Sequence, residues 1–109
     1  MPIGTYNPGV INSNEEDVRE TPSTIVLNQN YPNPFNPQTT ISYSIVNAGV
    51  VNLKVFNILG HEISTLVNRT QSAGAYSVAF DATNLPSGVY LYRLDADGFS
   101  SYRKMMLIK

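Results

Sequence analysis

The segment Thr40-Ile41-Ser42-Tyr43-Ser44-Ile45-Val46-Asn47-Ala48-Gly49-Val50-Val51-Asn52-Leu53-Lys54-Val55 decides the fold. Successive side chains of an extended chain point to opposite faces, so Ile41, Tyr43 and Ile45 share one face while Ser42 and Ser44 share the other. Val51, Leu53 and Val55 alternate with Asn52 and Lys54 in the same way, and Asn47-Ala48-Gly49 supplies a turn between the two runs. The same period of two recurs at Tyr76, Val78 and Phe80 against Ser77 and Ala79. Helical spacing is sustained nowhere. Residues 24–27, 62–67, 89–95 and 100–108 complete a set of about seven predicted strands. Asn57-Ile58-Leu59-Gly60, Gly74 and Leu85-Pro86-Ser87-Gly88 separate them, and the pattern predicts two antiparallel sheets packed face to face.

Two stretches are apolar on both faces, which suits a covered central strand or a strand that meets another chain. In the first, Tyr90, Tyr92 and Leu94 oppose Val89 and Leu91. Its lead-in, Leu85-Pro86-Ser87-Gly88-Val89-Tyr90, resembles the corner of immunoglobulin-like and fibronectin-type sandwiches, where a tyrosine near the start of a strand hydrogen-bonds backbone a few residues upstream. Tyr90 is therefore read as structural, and the expected fold class is an all-β sandwich of this type. In the second, Arg103, Met105, Leu107 and Lys109 oppose Tyr102, Lys104, Met106 and Ile108, so apolar residues and cations fall on both sides.

The chain has 109 residues, no cysteine and a formal net charge of -1, which fits one modest core and lacks the basic excess that binding nucleic acid requires. The apolar runs are too short to cross a bilayer, so no membrane insertion is expected, and the first residues lack the basic and apolar stretches of a secretory signal. Zero cysteines suit a cytosolic domain or an exported one without disulfides. Residues 1–23 hold Glu15, Glu16, Asp17 and Glu20 against Arg19, with three prolines and two glycines. They read as an acidic flexible linker ahead of a domain at 24–109, the alternative being a segment that docks through Ile3, Tyr6, Val10 and Ile11.

Catalytic chemistry finds little here. There is one histidine, His61, beside Gly60 at a turn, and no thiol, phosphate loop or nucleophile elbow. Asp95 and Asp97 are close enough to suggest a calcium loop, but Asp95-Ala96-Asp97-Gly98 reads more simply as a hairpin turn. No enzyme, cofactor or metal is expected. A carbohydrate-binding or adhesion module is a weighed alternative, since sugars stack on aromatic faces, but Trp is absent and Tyr43, Tyr76, Tyr90 and Tyr92 occupy core-like positions.

Asn30-Tyr31-Pro32-Asn33-Pro34-Phe35-Asn36-Pro37-Gln38-Thr39-Thr40-Ile41 carries three prolines that cannot join a central ladder, so it reads as an irregular lead-in to the strand at Thr40. Here the chain resembles the type A C-terminal sorting domain of proteins exported by the type IX secretion system of Bacteroidetes. The likeness continues through the run 51–63, Ala73-Gly74-Ala75-Tyr76, the run 85–90, and Arg103-Lys104-Met105-Met106-Leu107-Ile108-Lys109. It departs only in Phe56, where Tyr is frequent, and His61, where Gln or Arg is common.

The resemblance implies an address rather than a catalyst: a C-terminal domain that directs its cargo through the outer membrane to the cell surface or beyond. Its implied partners are the translocon, its shuttle components and a sortase-like peptidase that cuts upstream, here within residues 1–23. Met1 would then open a fragment whose cargo and export signal lie elsewhere. The implied signal elements are Leu85, Pro86, Gly88, Tyr90 and Gly98, with Lys104, Met105, Met106, Leu107, Ile108 and Lys109. The immunoglobulin-like module of the flagellar hook-capping scaffold shares the proline lead-in and is the runner-up. As a mechanism, Lys104 and Lys109 around an apolar run suit an acidic, apolar groove on a partner, reached by strand addition, against the plainer reading of a last core strand with solvated lysines. Exposed sandwich edges also leave self-pairing open, so the oligomeric state is not assigned.

Overall fold

A computed structural model describes residues 24–109; the expected linker at 1–23 lies outside them. Seven strands form: β1 (Val26–Leu27), β2 (Gln38–Ile45), β3 (Gly49–Asn57), β4 (Glu62–Gln71), β5 (Gly74–Asp81), β6 (Gly88–Ala96) and β7 (Phe99–Leu107). One sheet has the order β1-β2-β5 and the other β4-β3-β6-β7, every pair antiparallel. This is the immunoglobulin-like sandwich of the fibronectin type, with the fourth strand in the second sheet.

The alternating residues close the core. Ile41, Tyr43 and Ile45 from β2 face Val51, Leu53 and Val55 from β3 and Tyr90, Tyr92 and Leu94 from β6, all buried. Tyr43 stacks on the half-buried Tyr76 with centroids 5.5 Å apart. Its hydroxyl donates to Gln71, whose amide would otherwise be an unpaired polar group at the sandwich margin.

The turns follow their residue chemistry. Asn57 accepts the Leu59 and His61 amides on its side-chain oxygen, an Asx turn that Gly60 completes at φ +88°. Between β6 and β7, Asp97 and Gly98 both take positive φ, 52° and 74°, as a two-residue hairpin of the primed type demands. The hairpin reading of Asp95 to Gly98 thus holds, with Asp95 bonded to Arg93 and Ser100 and Asp97 to Asn47.

Three expectations shift. The first strand keeps only Val26 and Leu27, because the lead-in prolines draw the chain away from the sheet soon after. β4 runs to Gln71 instead of 67; two register shifts against β3 put consecutive residues out of phase and hide its alternation. The terminal strand stops at Leu107, one residue early.

The lead-in is ordered by both sheets. Its X-Pro bonds at Pro32, Pro34 and Pro37 are all cis. Tyr31 bridges Thr40 on β2, and Phe35, 2% exposed, packs against Phe80 on β5 while bridging Leu107 on β7. The Tyr92 hydroxyl of β6 accepts the Asn30 amide at 2.8 Å and donates to the Asn28 carbonyl at 2.7 Å. The buried Asn30 side chain donates to Thr39 and to the Pro32 carbonyl. At the corner, the Tyr90 hydroxyl donates to the Pro86 carbonyl at 2.6 Å.

These two tyrosines are expected to differ in urea unfolding. Tyr90→Phe leaves an exposed carbonyl that water can serve and costs about 1 kcal/mol, whereas Tyr92→Phe strands the buried Asn30 amide and costs about 2 kcal/mol. Burial also raises the Tyr92 phenol above the ordinary tyrosine value of 10.0, against the pull of the Asn30 bond and of Arg103. Burial likewise raises Tyr43, against its bond to Gln71 and the charge of Arg69. The folded state therefore holds these protons more tightly than the unfolded chain. Their contribution is complete below pH 10 and lost as pH rises above it, a decline that alkaline melting curves will show.

Candidate functional site

Pairing of β6 with β7 brings two distant motifs to one corner. Gly88 sits opposite Leu107, Val89 opposite Met106, and Tyr90 opposite Met105. Beyond the strand, the Lys109 amide donates to the Ser87 hydroxyl at 3.0 Å and its ammonium to the Thr83 carbonyl. Leu85, half-buried against the core, closes a turn on Ala82, and Pro86 is exposed. Gly98 does not join this cluster; it lies at the opposite end of the β6–β7 hairpin.

Within the last strand the alternation sorts the expected residues into two kinds. Met105 and Leu107 point into the core, each 1% exposed. Lys104, Met106, Ile108 and Lys109 are exposed. The two-faced apolar character of this strand therefore resolves into one core face and one outer face. In β6 the outward residues Val89, Leu91 and Arg93 are half-buried, and they continue that outer face toward β3. Arg93 lies 4.9 Å from the Phe56 ring and 5.9 Å from the Tyr102 ring, and pairs with Asp95 at 2.8 Å. Lys54 meets Glu62 at 3.5 Å; the Thr65 hydroxyl and then Lys54 hold the Glu62 carboxyl below its ordinary value. Thr83, through hydroxyl and amide, does the same for Asp81.

Sequence reasoning missed the lead-in's part in this corner. The outer edge of β7 is already occupied: the Phe35 amide donates to the Met106 carbonyl at 2.9 Å, the Ile108 amide to the Phe35 carbonyl at 3.0 Å, and the Met106 amide to the Asn33 side chain at 3.0 Å. Gln29 donates to the Lys104 carbonyl at 2.7 Å, and Arg103 to the Leu27 carbonyl at 2.9 Å. Strand addition along 104–108 is therefore closed while the lead-in is in place. The signal was Phe35 itself: a large apolar residue among prolines needs a core to enter, and prolines are tolerated only at a sheet edge.

Chemistry elsewhere is sparse. His61 is exposed at the β3–β4 turn, and among the described residues no three His, Cys, Asp or Glu side chains gather to hold a metal. Of the tyrosines weighed for a sugar platform, Tyr43, Tyr90 and Tyr92 are buried and Tyr76 is half-buried.

An immunoglobulin-like module whose final strand is tied to both its corner loop and its lead-in is thus defined. Residues 29–109 match the secretion system C-terminal sorting domain, and the chain belongs to that family. It is a sorting signal of the type IX secretion system, a non-catalytic family, and directs export across the outer membrane to the cell surface or the extracellular space. No curated protein matches the chain. Among solved structures, the crystal structure of dimeric latent PorU from Porphyromonas gingivalis is similar, with a TM-score of 0.57 and 14% identity over 90% of this chain. The likeness is one of fold, and this chain spans 10% of that one.

The two kinds of residue are expected to separate in stability. Met105→Ala opens a core cavity and costs about 2–5 kcal/mol. Met106→Ala, on the surface, stays within roughly 0.5 kcal/mol. Chemical denaturation of the two variants measures both.

Proposed function

We propose that the surface read during export is the corner where Leu85, Pro86, Gly88 and Tyr90 meet the last strand. In it Lys104, Met106, Ile108 and Lys109 make the contacts, while Met105, Leu107 and Tyr90 hold the strand in place. The observation that carries this is the pairing of Gly88 and Val89 with Leu107 and Met106, which joins segments separate in sequence at one corner, with Val89 and Met106 on its outer side. Gly98 acts at a distance, by shaping the hairpin that delivers the strand.

In this reading the protein domain has no catalytic role of its own. Residues 24–109 are the sorting unit and residues 1–23 the tether. Shuttle and translocon components read the folded corner, and a sortase-like peptidase cuts within the acidic tether once export is complete. Acidic, proline- and glycine-bearing sequence ahead of a self-contained sandwich supports that division.

The test is a secreted reporter. Residues 1–109 are fused behind a signal peptide and a fluorescent protein in a bacterium with an intact type IX system, beside a variant carrying Lys104→Glu and Lys109→Glu. Both lysines are exposed, and the one bond lost, from the Lys109 ammonium to the Thr83 carbonyl, faces solvent, so the thermal midpoint is expected to fall only slightly while the reporter remains in the periplasm. Normal export of the double variant contradicts the reading, and so does loss of export that simply follows loss of folding.

A further inference from the structure

Beside the terminal strand the outer face of the four-stranded sheet is not flat. Gln29, just ahead of the lead-in, and Asn33 within it form one wall of a groove of about 250 Å³, and Val89, Lys104 and Met106 form the rest over Met105. Its size is below that of an ordinary small-molecule site, roughly 300–1,000 Å³, and suits one or two protein side chains. The floor is apolar, with Met106 43% exposed and Val89 half-buried. The charge is one-sided: Lys104 is the only ionised group lining the groove, and it has no carboxylate within ion-pair distance among the described residues. The Gln29 and Asn33 amides are engaged with the backbone of β7, so the wall is fixed in place.

We infer that this groove, built jointly by the lead-in and the last two strands, receives an acidic and apolar protein segment of the export machinery. One carboxylate meets Lys104, and a neighbouring aliphatic side chain lies on Val89 and Met106. The inference rests on the sorting reading above and names the chemistry of its partner. Charge selects the occupant. A second copy presenting the same face about a two-fold axis would set Lys104 near its own mate, which opposes pairing. A partner strand has no access to the Met106 amide or carbonyl, both already bonded. What remains open is a side-chain contact with the groove, and Lys104, which has no carboxylate partner among the described residues, calls for an anion.

The experiment uses the reporter fusion with three single variants: Val89→Glu, which puts a carboxylate beside Lys104 and breaks no side-chain hydrogen bond; Val89→Thr, which keeps shape; and Ala79→Glu, exposed on the opposite sheet. Thermal unfolding of each purified domain is recorded alongside. Val89→Glu is expected to fold and to lower export by roughly tenfold or more, the loss that follows when a charge pair at an interface is opposed. Val89→Thr and Ala79→Glu are expected to export normally. Normal export of Val89→Glu overturns the inference, as does equal loss with Ala79→Glu. An equal loss on neutralising Glu15, Glu16, Asp17 and Glu20 would instead assign the groove to the chain's own acidic segment. A concentration-dependent dimer in sedimentation that Val89→Glu dissolves would assign it to a second copy, and either result overturns the proposal. If the unaltered fusion itself stays in the periplasm, the sorting reading fails and not this groove alone.

Discussion

The Tyr92 hydroxyl accepts the Asn30 amide and donates to the Asn28 carbonyl, and through that pair the four-stranded sheet holds a segment that no ladder could hold. Prolines at 32, 34 and 37 remove the donors that regular pairing needs. The segment instead crosses the open side of the sandwich on isolated backbone bridges at Tyr31 and Phe35, on side-chain bonds, and on the Phe35 ring set against Phe80. A buried amide without a partner would cost more than the bond returns, so the Tyr92 contact is a condition of the path and not an ornament to it.

From that path follows the state of the last strand. A terminal edge strand with free amides and apolar side chains is a site for unwanted pairing. Here the Met106 and Ile108 backbone groups are taken by Asn33 and Phe35, so the edge is closed and the outer face becomes what the domain presents. A partner that reads this face, as proposed, meets side chains and not free backbone, which makes recognition dependent on charge and shape. It also couples the start of the domain to its end: residues in the twenties and thirties fix the surface formed beyond residue 100.

Much of this was legible in sequence because the period of two is local and strong. Ile41 to Val55 announce two strands facing one core, Leu85 to Tyr90 announce the tyrosine corner, and Asp97-Gly98 its tight hairpin. β4 was only partly legible, since two register shifts break the alternation that reveals a strand's inner face. The site was half legible. The chemistry of the last residues stands in the sequence, but the split of Met105 and Leu107 inward from Met106 and Ile108 outward depends on pairing with β6. The contribution of Gln29 and Asn33 depends on contacts between residues 75 and 73 positions apart in the chain, which no local pattern encodes.

The closed edge of the terminal strand is what the presented face depends on, and amide hydrogen exchange measures it directly. The Met106 and Ile108 amides, which point away from β6 and toward the lead-in, are expected to exchange as slowly as the amides of the β6–β7 ladder, and to lose that protection in Phe35→Ala while the ladder keeps its own. Exchange of these two amides at the rate of the exposed Ile58 turn would show the edge to be open, and the lead-in would then not be what holds the terminal strand.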